Sequence, residues 1–283
     1  MDLSKALRRI IGSPRPRIQV LSDLHLEVGQ QYTSFADSFR ATAPFLVLAG
    51  DVGRVIDEDY LRFLKVQTSR YQNVFLVLGN HEFYGLDHDS AVAQAKRLVQ
   101  DPTLDGKVVL LHRTRWDDPD SDLTILGCTL WSVIPEDIFD IIKAKVKDYQ
   151  RIEGWTPQHH NAAHAEDVTW LRQQVSKAAA EKRRIMVVTH HAPCVKGASH
   201  PKYENNPWTP AFATDLLHQG TWRAVKVWVF GHTHFSTEFV HEGTRVVSNQ
   251  RGYALSGSLE KESEKEKEDG EGRSFDASLA ISV

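Results

Sequence analysis

The sequence predicts an α/β fold of two stacked mixed β-sheets flanked by helices, and three observations predict it. Strand-like and helix-like segments alternate through the N-terminal half, as parallel βαβ units do. Strands such as FLVLAG and VFLVLG are almost continuously apolar, so both of their faces need cover, from helices or from a second sheet. The last third is denser in strands, enough to supply that second sheet.

In chain order, strands are predicted at 17–22, 45–50, 74–79, 107–112, 123–130, 184–190, 225–230, 235–241, 244–249 and 275–282. Helices are predicted at about 57–71, 88–100, 157–181 and 211–219. The long one opens with Thr156 placed to cap it and Pro157 at its first position, a strong start signal. HFSTEFVHEGTRVVSN predicts a hairpin turning at Glu242-Gly243. The segment 258–274, SLEKESEKEKEDGEGRS, is too charged and too poor in apolar residues to pack, and reads as a flexible, solvated loop before a returning edge strand. Residues 1–16 read as an N-terminal arm, and 1–283 as one domain.

Bulk composition narrows the function classes. Hydrophobic content of 41% with 25% charged residues is that of a soluble globular chain. A net charge of -3 offers no basic field for long nucleic acid or an anionic membrane surface. No apolar stretch approaches the ~20 residues that span a bilayer, and the first residues lack the apolar core of a signal peptide. Cys128 and Cys194 fit neither a disulfide framework nor a zinc ribbon, which points to a reducing compartment and a cytoplasmic location.

Five polar clusters end five of these strands: Asp23-Leu24-His25, Gly50-Asp51, Gly79-Asn80-His81-Glu82, His190-His191 and Gly231-His232-Thr233-His234. One polar residue after a buried strand is ordinary turn chemistry. Five in series, each offering Asp, Asn or His, are more than turns need. Strand ends gathered at one rim would place these groups around a common point, where open α/β sheets carry their sites. Asp23 and His25, two apart, can face one ion while Leu24 returns to the core. Asp51 has two oxygens and can bridge two ions. The mixed O/N set suits Mn, Fe, Zn, Ni or Co better than Ca or Mg.

DLH, GD, GNHE, HHAP and GHTH, in this order from residue 23 to 234, resemble the motif set of the calcineurin-like metallophosphoesterase superfamily. The resemblance implies a four-layer αββα sandwich and two divalent transition-metal ions, with Mn favoured. One ion would be held by Asp23, His25, Asp51 and His234, and the second by Asp51, Asn80, His190 and His232. A hydroxide bridging the two would attack phosphorus in line, with Asp51 and His81 as catalytic residues and His81 the acid for the leaving group. Protein phosphatases of the superfamily carry GDYVDRG and RGNHE, whereas this chain has GDVGRV and LGNHE. GHTHF and VSNQRGY look more like its small microbial and fungal phosphodiesterase members.

The expected function is therefore hydrolysis of small phosphodiesters, cyclic or other small nucleotides among them. The alternatives are a phosphomonoesterase, protein-directed or broad; a nucleotide pyrophosphohydrolase; and a non-catalytic scaffold of the same fold. Expected substrate contacts are Asn80, His81, His191, Tyr203 and Asn205, the last two from the Pro-rich loop HPKYENNPWTP. For His191, contact with substrate and support of a ligand are evenly matched. Glu82 either orients His81 or caps the next turn. Phe83, Tyr84 and Gly85 either line the mouth or pack, and Asp148 and Tyr149 are weaker contact candidates. Asn249 and Arg251 either support the ligand loops or touch phosphate. His160 and His164, at i,i+4 on the long helix, read as a polar face with one histidine packed inward. His88 and His112 read as structural.

Overall fold

The computed structural model describes residues 15–203, 206–254 and 272–283. Nearly all of the N-terminal arm and of the 258–274 charged segment therefore lies outside the described residues, as does Asn205.

Eleven strands among the described residues form two mixed sheets. The first contains β1 (Arg17–Leu21), β2 (Phe45–Ala49), β3 (Asn73–Val77), β4 (Val108–Leu110) and β11 (Ala280–Ser282), in the order β11-β1-β2-β3-β4. Strands β1 to β4 run parallel, and β11 closes the edge antiparallel to β1. The second sheet contains β5 (Thr114–Asp117), β6 (Leu123–Cys128), β7 (Arg184–Thr189), β8 (Val225–Phe230), β9 (Thr237–His241) and β10 (Thr244–Ser248). Its order is β5-β6-β7-β8-β10-β9, with parallel β6, β7, β8 and β10 between two antiparallel edges.

Apolar alternation builds the layers. Phe45, Val47 and Ala49 of β2 face inward with Phe75 and Val77, and meet Ile125, Met186, Val188 and Val229 of the other sheet in one buried cluster. Leu46 and Leu48 point the opposite way, into a cluster with Tyr32 and Phe35 of α1 (Tyr32–Ala36) and Tyr60, Phe63 and Leu64 of α2 (Glu58–Arg70). The outer face of the second sheet, with Leu126, Val187, Trp228 and Phe230, is covered by Val168, Leu171 and Val175 of α6 (Pro157–Ala180). The result is the expected helix–sheet–sheet–helix sandwich. Burial on both faces explains why these strands show no polar alternation. Helices α3 (His88–Val99), α4 (Phe139–Lys145) and α5 (Asp148–Arg151) flank the rim where the strands end.

Local signals were obeyed where the chain is regular. Thr156 caps α6 through His159 N at 3.2 Å, and β9 and β10 turn at Glu242 and Gly243, both with positive φ. Three expectations need correction. No helix forms over 211–219: Ala192 N donates to Phe212 O and Thr214 N to Ala192 O, so this segment pairs with the loop after β7 instead. The strand predicted at 123–130 stops at Cys128, because Leu130 and Trp131 take positive φ and Leu130 N donates to Asp167. The strand predicted at 275–282 shortens to Ala280–Ser282, because Asp276 accepts from Ser278 N and Oγ in a side-chain turn. Strand β5 and the short helices α1, α4 and α5 were not foreseen.

Candidate metal centre

The carboxyl ends of β1, β2, β3, β7 and β8 meet at one rim. Two backbone links zip the first pair of loops: Asp23 N donates to Gly50 O at 3.0 Å and His25 N to Asp51 O at 2.9 Å. Gly50 has φ +90, and a methyl group there would collide with the His190 ring. A methyl on Gly79 would overlap the Asp51 carboxylate. The glycines before Asp51 and Asn80 thus let neighbouring loops approach closely enough to share ligands.

Asp23, His25 and His234 form one cluster of metal-competent atoms, and Asp51, His190 and His232 another. In the first, His25 Nε2 and His234 Nε2 lie 2.8 Å apart, with Asp23 Oδ1 3.6 Å from His234 Nε2. Asp51 Oδ2 lies 3.8 Å from His25 Nε2, and Asp51 Oδ1 3.4 Å from His190 Nε2. Asp51 therefore turns one oxygen to each cluster. In the second, His190 Nε2 is 3.0 Å from Asn80 Oδ1 and 3.1 Å from His232 Nδ1.

The donor set fits a cation for a reason visible in the hydrogen bonds. His190 Nδ1 donates to Ala49 O at 2.9 Å, so its Nε2 presents a lone pair when the ring is neutral. Asn80 Nδ2 donates to Asp148 at 2.8 Å and approaches Tyr84 Oη, so its Oδ1 is the atom facing His190. Lone pairs turned toward one another at about 3 Å repel unless a proton or a metal ion sits among them, and without a metal the Asp51 charge outweighs burial and raises His190 to about 10.

The sequence pattern described as calcineurin-like phosphoesterase matches residues 16–236. The chain belongs to the calcineurin-like phosphoesterase family. Uncharacterized protein L509 of Acanthamoeba polyphaga mimivirus is 26% identical over 267 residues, covering 84% of this chain and 91% of the viral one. Among solved structures, the phosphopantetheinyl hydrolase of Mycobacterium tuberculosis is similar at TM-score 0.63 and 20% identity, covering 95% of this phosphoesterase and 96% of that chain. TT1561 of Thermus thermophilus is similar at TM-score 0.50 and 12% identity, covering 84% and 90%.

Five of the seven candidate ligands in this phosphoesterase, Asp23, His25, Asp51, His232 and His234, have φ between 46 and 73. Non-glycine residues rarely adopt that backbone, and such strain clusters at functional sites. Burial and the Asp51 charge push the Asp23 carboxyl up. His232, with the His191 ring centroid at 4.0 Å and the Phe212 ring centroid at 5.0 Å, is pushed well down, chiefly by burial and then by His190. A neutral imidazole is the form that binds metal.

His81 lies beside both clusters, with Nε2 3.9 Å from Asp51 Oδ2. Its backbone N donates to Asp51 Oδ1, and its Nδ1 donates to Glu27 Oε1 at 2.7 Å. Tyr253 Oη stands 3.1 Å from Nε2, and the Tyr84 ring lies over the imidazole at 4.3 Å. Burial lowers the His81 pKa, but Asp51 and Glu27 outweigh it and hold it at about 9; cations in the clusters would act the other way. Burial by itself raises Glu27, yet the adjacent imidazoles of His25 and His81 hold it at about 2.

Glu82 takes neither of its two expected roles. Its fully buried carboxylate accepts from Asp51 N, Val52 N, Gly53 N, Gly79 N and Tyr60 Oη, and so clamps the Asp51 loop to the Asn80 loop. Glu27 orients His81 instead. The spacing of DLHLE, with polar groups at every second position, could have found it. Tyr253, in the SNQRGY string, had no signal of its own.

The remaining expectations divide. His191 is fully buried against Trp131 and His232, and among the described residues neither ring nitrogen has a hydrogen-bond partner. Tyr203 stands half-exposed on a turn beside His200 and Lys202, and makes no hydrogen bond or ring contact with a candidate ligand among the described residues. Asp148 is buried as the acceptor for Asn80 and Tyr84, a support of the ligand shell more than a surface for substrate. Phe83 packs in the core, while Tyr84 and Gly85 line a cavity next to His81. Asn249 ties Val20 to Asp276, and Arg251 ties Leu24 O to Gln31, so both are struts. His160 and His164 are both buried, not one: His160 receives Ser132 N, and His164 donates to Leu130 O. Both cysteines are buried thiols with raised pKa values, chiefly from burial.

Proposed function

We propose that this phosphoesterase is a dinuclear enzyme that hydrolyses small phosphodiesters, nucleotides among them, with Mn the favoured ion. The observation that carries the reading is the shared carboxylate: Asp51 turns one oxygen to each ligand cluster, with His81 against its edge. Asp23, His25, Asp51 and His234 would hold one ion, and Asp51, Asn80, His190 and His232 the other. Such a pair supplies Lewis acidity at phosphorus and makes water acidic enough to attack near neutral pH.

The chain's own groups do the rest. Glu27 holds the His81 Nδ1–H, which leaves Nε2 to give its proton to the departing oxygen. A water oxygen forms the new bond to phosphorus, the ester P–O bond breaks, and the leaving oxygen takes the His81 proton. The proton released by water restores His81 through solvent. Glu82 and Asp148 keep the loops and the Asn80 amide in register throughout.

Arg251, one candidate phosphate contact, is engaged with Leu24 O and Gln31 and does not offer its guanidinium to the second negative charge of a monoester. The departures from the protein-phosphatase strings favour the diester reading. The test compares bis(4-nitrophenyl) phosphate with 4-nitrophenyl phosphate on Mn-loaded protein. We expect kcat/KM at least about tenfold higher for the diester; a large monoester advantage would replace this reading with a phosphomonoesterase. The name of the similar Mycobacterium tuberculosis structure makes a phosphopantetheinyl ester a sensible third substrate.

A further inference from the structure

A cavity of about 630 Å³ opens beside His81, which lines it together with Glu27. Its walls carry three cations, Arg54, Lys147 and Arg151, and two carboxylates, Glu27 and Glu153, with the rings of His81, Tyr84 and Tyr253. The charges are not equally free. Arg54 is held by Asp57 at 2.7 Å, and Glu27 by His81 at 2.7 Å. Among the described residues, the side chains of Lys147 and Arg151 have no ion pair or hydrogen bond, and only Glu153 among the cavity's uncommitted groups opposes them.

Position gives this charge a meaning. In an in-line displacement the leaving group departs on the side of the acid that protonates it. His81 borders both the ligand clusters and this cavity, so the cavity receives what His81 releases. Its volume exceeds that of a single phosphate and falls in the range of small-molecule pockets. We propose that the cavity is a leaving-group subsite, and that Lys147 and Arg151 select esters whose departing alcohol carries a second phosphate. The inference rests on the phosphodiesterase reading above for its reaction. The two cations would add charge-assisted contacts to that second phosphate, and both sit on α5 and its N-terminal flank, one turn apart.

The test uses two diesters with leaving phenols of similar basicity: methyl 4-methoxyphenyl phosphate and methyl 4-(phosphonooxy)phenyl phosphate. Mn-loaded wild type and Lys147→Gln/Arg151→Gln protein are compared, and products are separated so that diester cleavage is distinguished from release of inorganic phosphate. Wild type should favour the doubly phosphorylated ester in kcat/KM by about tenfold or more, mostly through KM. The double variant should lose most of that ratio, and Glu153→Gln should increase it. Equal ratios in wild type and variant would overturn the subsite while leaving the phosphodiesterase reading intact. If wild type cleaves neither ester, that reading fails, and calorimetric binding of 4-hydroxyphenyl phosphate decides the subsite alone. Binding about tenfold weaker in the double variant supports it, and unchanged binding overturns it.

Discussion

Asn80 shows how one residue's role is set by a neighbour. An amide can present either its oxygen or its nitrogen, and here Asp148 and Tyr84 take the nitrogen side, so the oxygen faces His190. Removing such a support typically weakens metal binding about 10- to 100-fold. Asp148→Ala should therefore weaken one of two Mn affinities by that order and leave the other nearly unchanged, as measured by Mn titration of the folded variant. Two unchanged affinities would show that Asp148 merely fills space. The sequence made Asn80 legible, because GNHE ends an apolar strand, but offered Asp148, 68 residues away, only as a weaker substrate contact and not as the support of Asn80. Glu27 and Glu82 differ in the same way. Both are carboxylates close to a motif histidine, and only the fold decides that Glu27 reaches the imidazole while Glu82 turns to five donors, three on the Asp51 loop, Gly79 N on its own loop and Tyr60 Oη on α2.

At the scale of elements, the strands that bury both faces were legible because nothing polar interrupts them, and their ends were legible because ligands follow directly. Elements shaped by contacts distant in sequence were not. The 211–219 segment has helix-compatible residues, yet its backbone bridges to Ala192 beside His191. Helix α6 does more than cover the second sheet. His160 accepts from Ser132 N and His164 donates to Leu130 O, which pins the loop of positive-φ residues that places Trp131 against His191. Burial, with a smaller contribution from His164, depresses His160 from 6.5 to about 3. A histidine whose folded pKa is depressed stays neutral in the fold and takes up a proton on unfolding. Its contribution is thus intact above 6.5 and is lost as pH falls toward about 3. The slope from this one group approaches about 1.4 kcal/mol per pH unit within that window. Urea unfolding at about pH 7 and about pH 5 should show a smaller acid-side loss for His160→Gln than for wild type, although the variant starts less stable. Equal losses would mean that His160 is not the proton acceptor on unfolding.

For the molecule as a whole, two sheets with an apolar interlayer hold their parallel strands so that five carboxyl ends converge. The left-handed backbone of Asp23, His25, Asp51, His232 and His234 is imposed by that convergence. Strain of this kind costs about 1–3 kcal/mol per residue and persists only where the surrounding structure enforces it. No helix of the described residues is long and apolar enough to cross a membrane. The family, the sandwich and the ligand motifs were all legible in the order DLH, GD, GNHE, HHAP and GHTH. The cavity beside His81 was not, because its cations come from α5, its flank and the loop after β2, and only the tertiary fold brings these together. Whether two ligand shells share Asp51 is read by electron paramagnetic resonance of Mn-reconstituted protein, combined with elemental analysis. Two Mn per chain are expected, with an exchange-coupled spectrum that collapses in Asp51→Asn. One ion per chain, or two ions that remain magnetically independent in wild type, would contradict the shared ligand.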